Sequence, residues 1–218
     1  MFTIERGGYS WVVGNNYTDD AFGPSDHEAP LEPVFREMLG VDGVFLDVGA
    51  HVGHWAVLLA GQARKVIAVE ANPATAGVLR ANVAANGLGN VTVLEAAAWD
   101  CDQLLRMEDP HGKIRGASTR TIPDDEHGTV RGQPLDGLLA GEPEIRLVKL
   151  DVEGADIHAL NGMRETLARC RPGMIVERHD FLGYYTADDL FGLLAELGYR
   201  WRDGPFWCGA PHLICEPA

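Results

Sequence analysis

Residues 44–57 read VFLDVGAHVGHWAV. A short apolar run ends in an acid, Asp47, and glycines follow at Gly49 and Gly53 before the spacing turns helical. A strand that bends sharply into a helix leaves backbone N–H groups exposed at the helix start, and glycines let a ligand approach that backbone closely. Further on, a second β-branched run ends in Glu70, whose carboxylate suits both hydroxyls of a ribose diol at the adjacent strand tip. The pair predicts a nucleoside lying across two neighbouring strand tips.

Outward from this turn, strands alternate with helices. Residues 44–48, 66–70, 91–95, 145–151 and 173–177 are short, β-branched and mostly apolar throughout, as strands buried on both faces are. Between the second and third, NPATAGVLRANVAANG carries Asn72 to cap a helix, Pro73 at its first position and Gly87 to close it. LEPVFREMLG, HALNGMRETLARC and ADDLFGLLAELG also have helical spacing. This order predicts right-handed βαβ units in a doubly wound parallel sheet, with the ligand at the carboxyl ends of the strands. Residues 14–30 and 107–129 are polar, turn-rich and expected as loops, the first a lid. The last residues, GYRWRDGPFWCGAPHLICEPA, hold two strand-like pieces around a Gly/Pro turn, expected to add an antiparallel edge.

With 218 residues and 46% hydrophobic content, the chain can bury one sizeable core. It reads as one domain over residues 1–218, with 1–40 an N-terminal strand, loop and helix lid region and 41–218 the core. No basic start leads into a long apolar segment, and no apolar run approaches the roughly 18–20 residues of a membrane span. A cytoplasmic protein without membrane insertion is expected. Cys101, Cys170, Cys208 and Cys215 form no CxxC pair, which reads as reduced, structural thiols. A net charge of −14 repels phosphate backbones, argues against nucleic acid as partner and favours a small neutral or cationic ligand. Oligomeric state has no signature in the sequence.

A glycine turn followed by an acid also marks dinucleotide-binding enzymes. Three details favour another ligand. His51 stands where a pyrophosphate-binding turn has its middle glycine, and Asp47 just before it serves an ammonium. None of Tyr9, Tyr17, Tyr184, Tyr185 and Tyr199 is followed four positions later by the lysine that a short-chain dehydrogenase needs. LVKLDVEGAD and MIVERHD place carboxylates at the fourth and fifth strand tips, nearest the reacting end of the ligand. These features fit S-adenosylmethionine as cofactor. An NAD(P)-dependent oxidoreductase and a catalytically silent cofactor-binding module are the alternatives.

LEPVFREMLGVDGVFLDVGAHVGHWAVLLA, VIAVEANPATAGVLRANVAANGLGNVTVLEAAAWD, PLDGLL, LVKLDVEGADIHALNGM and MIVERH together resemble the FkbM-like family of class I S-adenosylmethionine-dependent methyltransferases, over roughly residues 31–180. The resemblance implies a Rossmann-like α/β fold with a doubly wound, mostly parallel seven-stranded sheet and an antiparallel edge strand. It implies methyl transfer to a hydroxyl of a natural product, sugar or lipid. Asp47, Gly49, His51 and Gly53 then take the methionine and loop contacts, Glu70 the ribose, Asn72 the neighbourhood of the adenosine, and Ala96 and Ala97 the adenine-side turn. Glu32 matches an acid reaching the cofactor from the N-terminal helix, though a helix-start acid complementing the dipole reads equally well. The family usually has asparagine where this chain has His51.

At the reacting end, period-two alternation puts Lys149 and Asp151 on one face of the fourth strand and Glu177 and His179 on one face of the fifth. Asp151 is the candidate base or acceptor-orienting group, with Glu177 and His179 as partners. Lys149 reads as a buried lysine neutralised by Asp151 or Glu177. Glu153 is either functional or a helix-start carboxylate. Asp151, Glu177 and His179 also have the chemistry of Mg²⁺ or Mn²⁺ ligands, but their spacing differs from that of catechol-type methyltransferases, and a metal-free hydrogen-bonded cluster is expected. His54, His111, His127, His158 and His212 read as solvated or capped. Trp55, Tyr184, Tyr185 and Trp207 read as core or rim packing, with an acceptor pocket as the alternative.

Overall fold

The computed structural model describes residues 2–13, 29–108, 120–205 and 211–218. Most of the expected lid loop, the middle of the 107–129 segment, His111, Trp207 and Cys208 lie outside these residues. Among the described residues the elements run β1 (Phe2–Arg6), β2 (Tyr9–Val13), α1 (Glu32–Leu39), β3 (Val44–Val48), α2 (His54–Ala60), β4 (Lys65–Glu70), α3 (Pro73–Ala85) and β5 (Val91–Glu95). There follow β6 (Ala97–Ala98), β7 (Gln103–Glu108), β8 (Arg120–Pro123), β9 (Val130–Gln133), α4 (Leu135–Leu138), β10 (Leu147–Leu150), α5 (Asp156–Asn161) and α6 (Arg164–Cys170). The chain ends with β11 (Gly173–Glu177), α7 (Ala187–Glu196), β12 (Tyr199–Asp203) and β13 (His212–Pro217).

Seven strands form one sheet in the order β12-β13-β11-β10-β3-β4-β5. β11, β10, β3, β4 and β5 are mutually parallel. The C-terminal pair joins them as expected, with one difference: β13 runs antiparallel to both β11 and β12. The reversed strand therefore lies one place in from the edge, and β12 forms the edge. Tyr199–Asp203 and His212–Pro217 are joined by a short connection, so they pair as neighbours, and the more apolar β13 takes the inner place.

Alternation along the strands divides two cores. Val44, Leu46 and Val48 of β3 join Val148, Leu150 and Val176 against α5, α6 and α7. Phe45, Leu147 and Ile175 face α1, α2 and α3, where Phe35 of α1 stacks on Trp55 of α2 at 3.9 Å. Full burial of side chains such as these stabilises the fold by about 1.5–3 kcal/mol each. The same parity carries Asp47, Lys149 and Glu177 to the carboxyl ends of three adjacent strands, on the Phe45 face.

Three features differ from the expected pattern. HALNGMRETLARC forms two helices, α5 and α6, because the chain bends at Gly162, where it passes against Trp99. Part of the expected 107–129 loop is β-structure: β7 and β8 pair antiparallel within a small four-stranded sheet, β6-β9-β7-β8. At the N-terminus, β1 and β2 form a hairpin whose Trp11 and Val13 pack on Val57 of α2. Side-chain amides of α3 join its outer strand: Asn86 Oδ1 accepts from Ser10 N, and Asn82 Oδ1 from Val12 N, both at 2.8 Å. Asn82 Nδ2 in turn donates to Val52 O at 2.7 Å, in the turn before α2.

A Cβ at Gly162 would lie 2.0 Å from the backbone oxygen of Trp99, whereas one at Gly77, exposed within α3, meets nothing within 4 Å. Gly162→Ala is expected to lower unfolding free energy by about 1–3 kcal/mol through overpacking. Gly77→Ala is expected to raise it by about 0.5–1 kcal/mol through helix propensity. Urea denaturation of the two variants checks both signs.

Candidate active site

The β3–α2 turn and the turn after β10 meet at the carboxyl edge of the sheet. Gly49 adopts φ +79°, and a Cβ there would fall 1.7 Å from the carbonyl oxygen of Asp151, so only glycine lets the two backbones approach this closely. Gly49 N and Ala50 N both donate to Val69 O at 2.9 Å, which seats the turn on β4. His51 is left-handed at φ +51°, and Gly53, at φ +93°, opens α2. The His51 position is therefore one where asparagine and histidine are tolerated among non-glycine residues.

Glu70 closes β4 and is buried. Its Oε2 accepts from His51 N and its Oε1 from Asn72 N, each at 2.8 Å, so the carboxylate ties the β3 turn to the start of α3. Burial pushes its pKa up to about 7, only partly offset by those two N–H donors and by Lys149, while Asp151 adds to the rise. Asn72 caps α3, its Oδ1 accepting from Ala74 N and Thr75 N. Ala96 N donates to Glu70 O at 3.1 Å, and Ala96 and Ala97 are buried beside this strand tip. Gly49, His51, Glu70, Asn72 and Ala96 thus form one connected rim, while Asp47 is fully buried. Glu32 opens α1, with 36% of its side chain exposed, and accepts from Arg36 Nε at 2.8 Å.

Lys149 is buried at the centre. Its Nζ donates to Gly49 O and Asp151 Oδ2 at 3.0 Å each and lies 3.7 Å from Asp47 Oδ1. The neutralising partners are therefore Asp151 and Asp47. Beyond it, four acids surround His179. Its Nε2 lies 3.7 Å from Asp151 Oδ1, 3.7 Å from Glu153 Oε2 and 3.6 Å from Glu177 Oε1, and its Nδ1 is 3.7 Å from Asp156 Oδ1. Burial alone would lower the histidine's pKa; Asp156, Asp151 and Glu153 overcome it and push it up to about 10. Burial, then the charge of Asp151, raises Glu153 to about 8.

Asp151, Glu177 and His179 do converge. Sequence reasoning left out Asp156, fully buried at the start of α5, and took His212 for a bland histidine, although β13 places its Nε2 3.4 Å from Glu177 Oε2. Glu153 reaches the cluster from a backbone at φ +51°, a conformation that costs a non-glycine residue about 1–2 kcal/mol. The acid-glycine ending of DVEG was the available signal. Tyr185 is a core residue whose hydroxyl accepts from His179 N at 2.8 Å, and Trp55 is also core; Tyr184 is exposed and pairs with Arg120. His158 stacks on Trp99 at 3.9 Å, and His54 is buried against Trp11.

A seven-stranded, mostly parallel sheet with one reversed strand near its edge and acids along its carboxyl end is the Rossmann-like fold of class I methyltransferases. Residues 47–201 match the family described as Methyltransferase FkbM domain, and the chain belongs to that family. No curated protein sequence matches significantly. Among solved structures, the fold is similar to methyltransferase FkbM from Methylobacillus flagellatus (TM-score 0.55, 16% identity), covering 81% of this chain and 44% of that one. The chain thus spans less than half the length of that protein. A precorrin-6y methyltransferase from Geobacter metallireducens superposes with TM-score 0.57 and 15% identity over 93% of each chain. M. jannaschii TYW2 in complex with AdoMet gives 0.51 and 14% over 99% of this chain and 86% of that one.

The left-handed backbone at His51 sets a stability test. His51→Val, with a β-branched side chain, is expected to cost about 1–2 kcal/mol, and His51→Asn to stay within about 0.5 kcal/mol of the parent. Thermal or urea unfolding of both variants decides it.

Proposed function

We propose that the chain transfers the methyl group of S-adenosylmethionine to a hydroxyl oxygen of a small natural product or sugar-containing acceptor. The observation that carries this reading is the two-ended site: a buried carboxylate on backbone donors at the β4 tip, and an acid cluster at the β10 and β11 tips, joined through Lys149. The family match supports methyl transfer over the oxidoreductase alternative. The net charge of −14 supports a small acceptor over nucleic acid.

The residues present suit the cofactor. Each oxygen of Glu70 accepts one backbone N–H, and a carboxylate has capacity for more, which leaves lone pairs for a ribose diol. Gly49 lets the turn close on the backbone of Asp151, and the fully buried Asp47 adds negative charge beneath it that favours an ammonium over a phosphate. Bound S-adenosylmethionine would supply an electrophilic methyl group on a sulfonium. The chain's own work is then to align the acceptor oxygen in line with that methyl, exclude water and take up the hydroxyl proton. Asp151 is the group for the last step: 25% of its side chain is exposed, Oδ2 is anchored by Lys149 and Oδ1 faces the cluster. His179, flanked by Glu177, faces Asp151 from the neighbouring strand's end.

Two measurements test this reading. Glu70 has its folded pKa raised from 4.5 to about 7, so it disfavours the folded state increasingly as pH rises through that window, and binding that prefers the ionised carboxylate must release a proton below it. Affinity for S-adenosylhomocysteine is expected to fall by up to about tenfold per pH unit below 7, and Glu70→Gln to flatten that profile and weaken binding at pH 8. A wild-type affinity constant from pH 5.5 to 7.5 would reject the assignment.

For the chemical step, Asp151→Asn is expected to lower kcat by about 10²–10⁴ while S-adenosylhomocysteine affinity stays near wild type. Turnover is followed as gain of one methylene mass on candidate acceptors. Normal turnover removes Asp151 from the mechanism. A loss of cofactor affinity and melting temperature together would assign it to neutralising Lys149 instead.

A further inference from the structure

His179 sits at the middle of the acid cluster, with 2% of its side chain exposed. Among the described residues, the carboxylate oxygens that face its two ring nitrogens stand at 3.6–3.7 Å, longer than a close hydrogen bond. A histidine cation among carboxylates contracts to charge-assisted bonds of about 2.7–2.9 Å. Donors around a shared ion are spaced differently, since ligand atoms ~2.1 Å from the ion lie ~3.0 Å apart when adjacent and ~4.2 Å apart when opposite. The separations of His179 Nε2 from Asp151 Oδ1 and Glu177 Oε1, 3.7 and 3.6 Å, lie between those two values. One ligand atom from each of Asp151, Glu177 and His179 lies within 4.8 Å of the others.

The three donors are also held from behind. Asp151 Oδ2 accepts from Lys149 Nζ, which leaves Oδ1 toward His179. Glu177 Oε2 lies beside His212 Nε2, which leaves Oε1 toward His179. Nδ1 of His179 faces the fully buried Asp156, so the imidazole can keep a proton there while a cation displaces the one on Nε2. Outer partners that fix the tautomer and orientation of inner donors are the habit of metal sites.

Against the metal-free cluster expected from the sequence, we propose that Asp151, Glu177 and His179 bind one divalent cation, with Glu153 as a further oxygen donor at its edge. An oxygen-rich set with a single imidazole suits Mn²⁺ better than the all-oxygen preference of Mg²⁺ or the sulfur and nitrogen preference of Zn²⁺. The ion's use rests on the methyl-transfer reading: it would orient the acceptor oxygen and acidify its hydroxyl, with Asp151 then serving as its ligand rather than as the base. Its binding does not.

Chelator-stripped wild-type protein titrated with MnCl₂ at pH 7.5, with free Mn²⁺ followed by electron paramagnetic resonance, tests the site without turnover. One ion per chain is expected, with affinity weakened at least tenfold in Glu177→Gln. Asp156→Asn, acting through His179, is expected to weaken it about 10- to 100-fold. Wild-type protein that binds no Mn²⁺ at millimolar concentration overturns the proposal without any variant, and so does unchanged affinity in a folded Glu177→Gln protein. Mn²⁺ binding in a protein without methyl transfer would keep the cation site and remove the methyl-transfer reading.

Discussion

The buried ammonium of Lys149 is the constraint around which the site is assembled. Burying such a charge costs several kcal/mol unless it is paired and hydrogen-bonded. The chain meets this by bringing Gly49 O, Asp151 and Asp47 to it from two neighbouring strands. Once those partners are in place, the β3–α2 turn and the DVEG turn have one position relative to each other, and the tight contact between Gly49 and the Asp151 carbonyl follows. Movement of either half would strand a charge. The rim proposed for a nucleoside and the cluster proposed for an acceptor are therefore tied through one lysine, and Glu70 registers the charges of both Lys149 and Asp151.

Around that lysine the balance of charge is strongly negative. Asp47, Glu70, Asp151, Glu153, Asp156 and Glu177 crowd the carboxyl edge of the sheet against Lys149, His179 and His212. Such an edge repels a pyrophosphate and attracts cations, a sulfonium or a metal ion alike. Dinucleotide-binding turns on related sheets solve the opposite electrostatic problem, with glycine backbones aimed at phosphate oxygens.

Much of this was legible in the sequence because it rests on local periodicity. The five parallel strands declared themselves by β-branched runs, and Asp47, Glu70, Asp151, Glu177 and His179 fell at their tips by counting along each strand. Asn72 and Pro73 announced α3 by cap chemistry. What escaped depends on contacts distant in sequence. The break at Gly162 exists because Trp99 lies against it, and nothing within HALNGMRETLARC records that. His212 reaches Glu177 only through the register of β13, a strand whose place inside the edge is set by pairing. Asp156 opens a helix like many surface acids, and its complete burial comes from the elements packed over it. The interrupted pattern of residues 107–129 hid β8 because its strand is short and its partner, β7, lies across a turn-rich segment.

The N-terminal hairpin shows how an unpaired strand edge can be closed without another strand. A two-stranded ribbon leaves the outer N–H groups of β2 open, and such a row is a template for a second chain. Here Asn82 of α3 and Asn86, its C-cap, present amide groups to Ser10 and Val12 in place of a neighbouring backbone. A helix thus imitates a strand, and the ribbon ends in side chains that cannot propagate the ladder further. The open edge of β2 is thus met by two asparagines from another element rather than by a further strand.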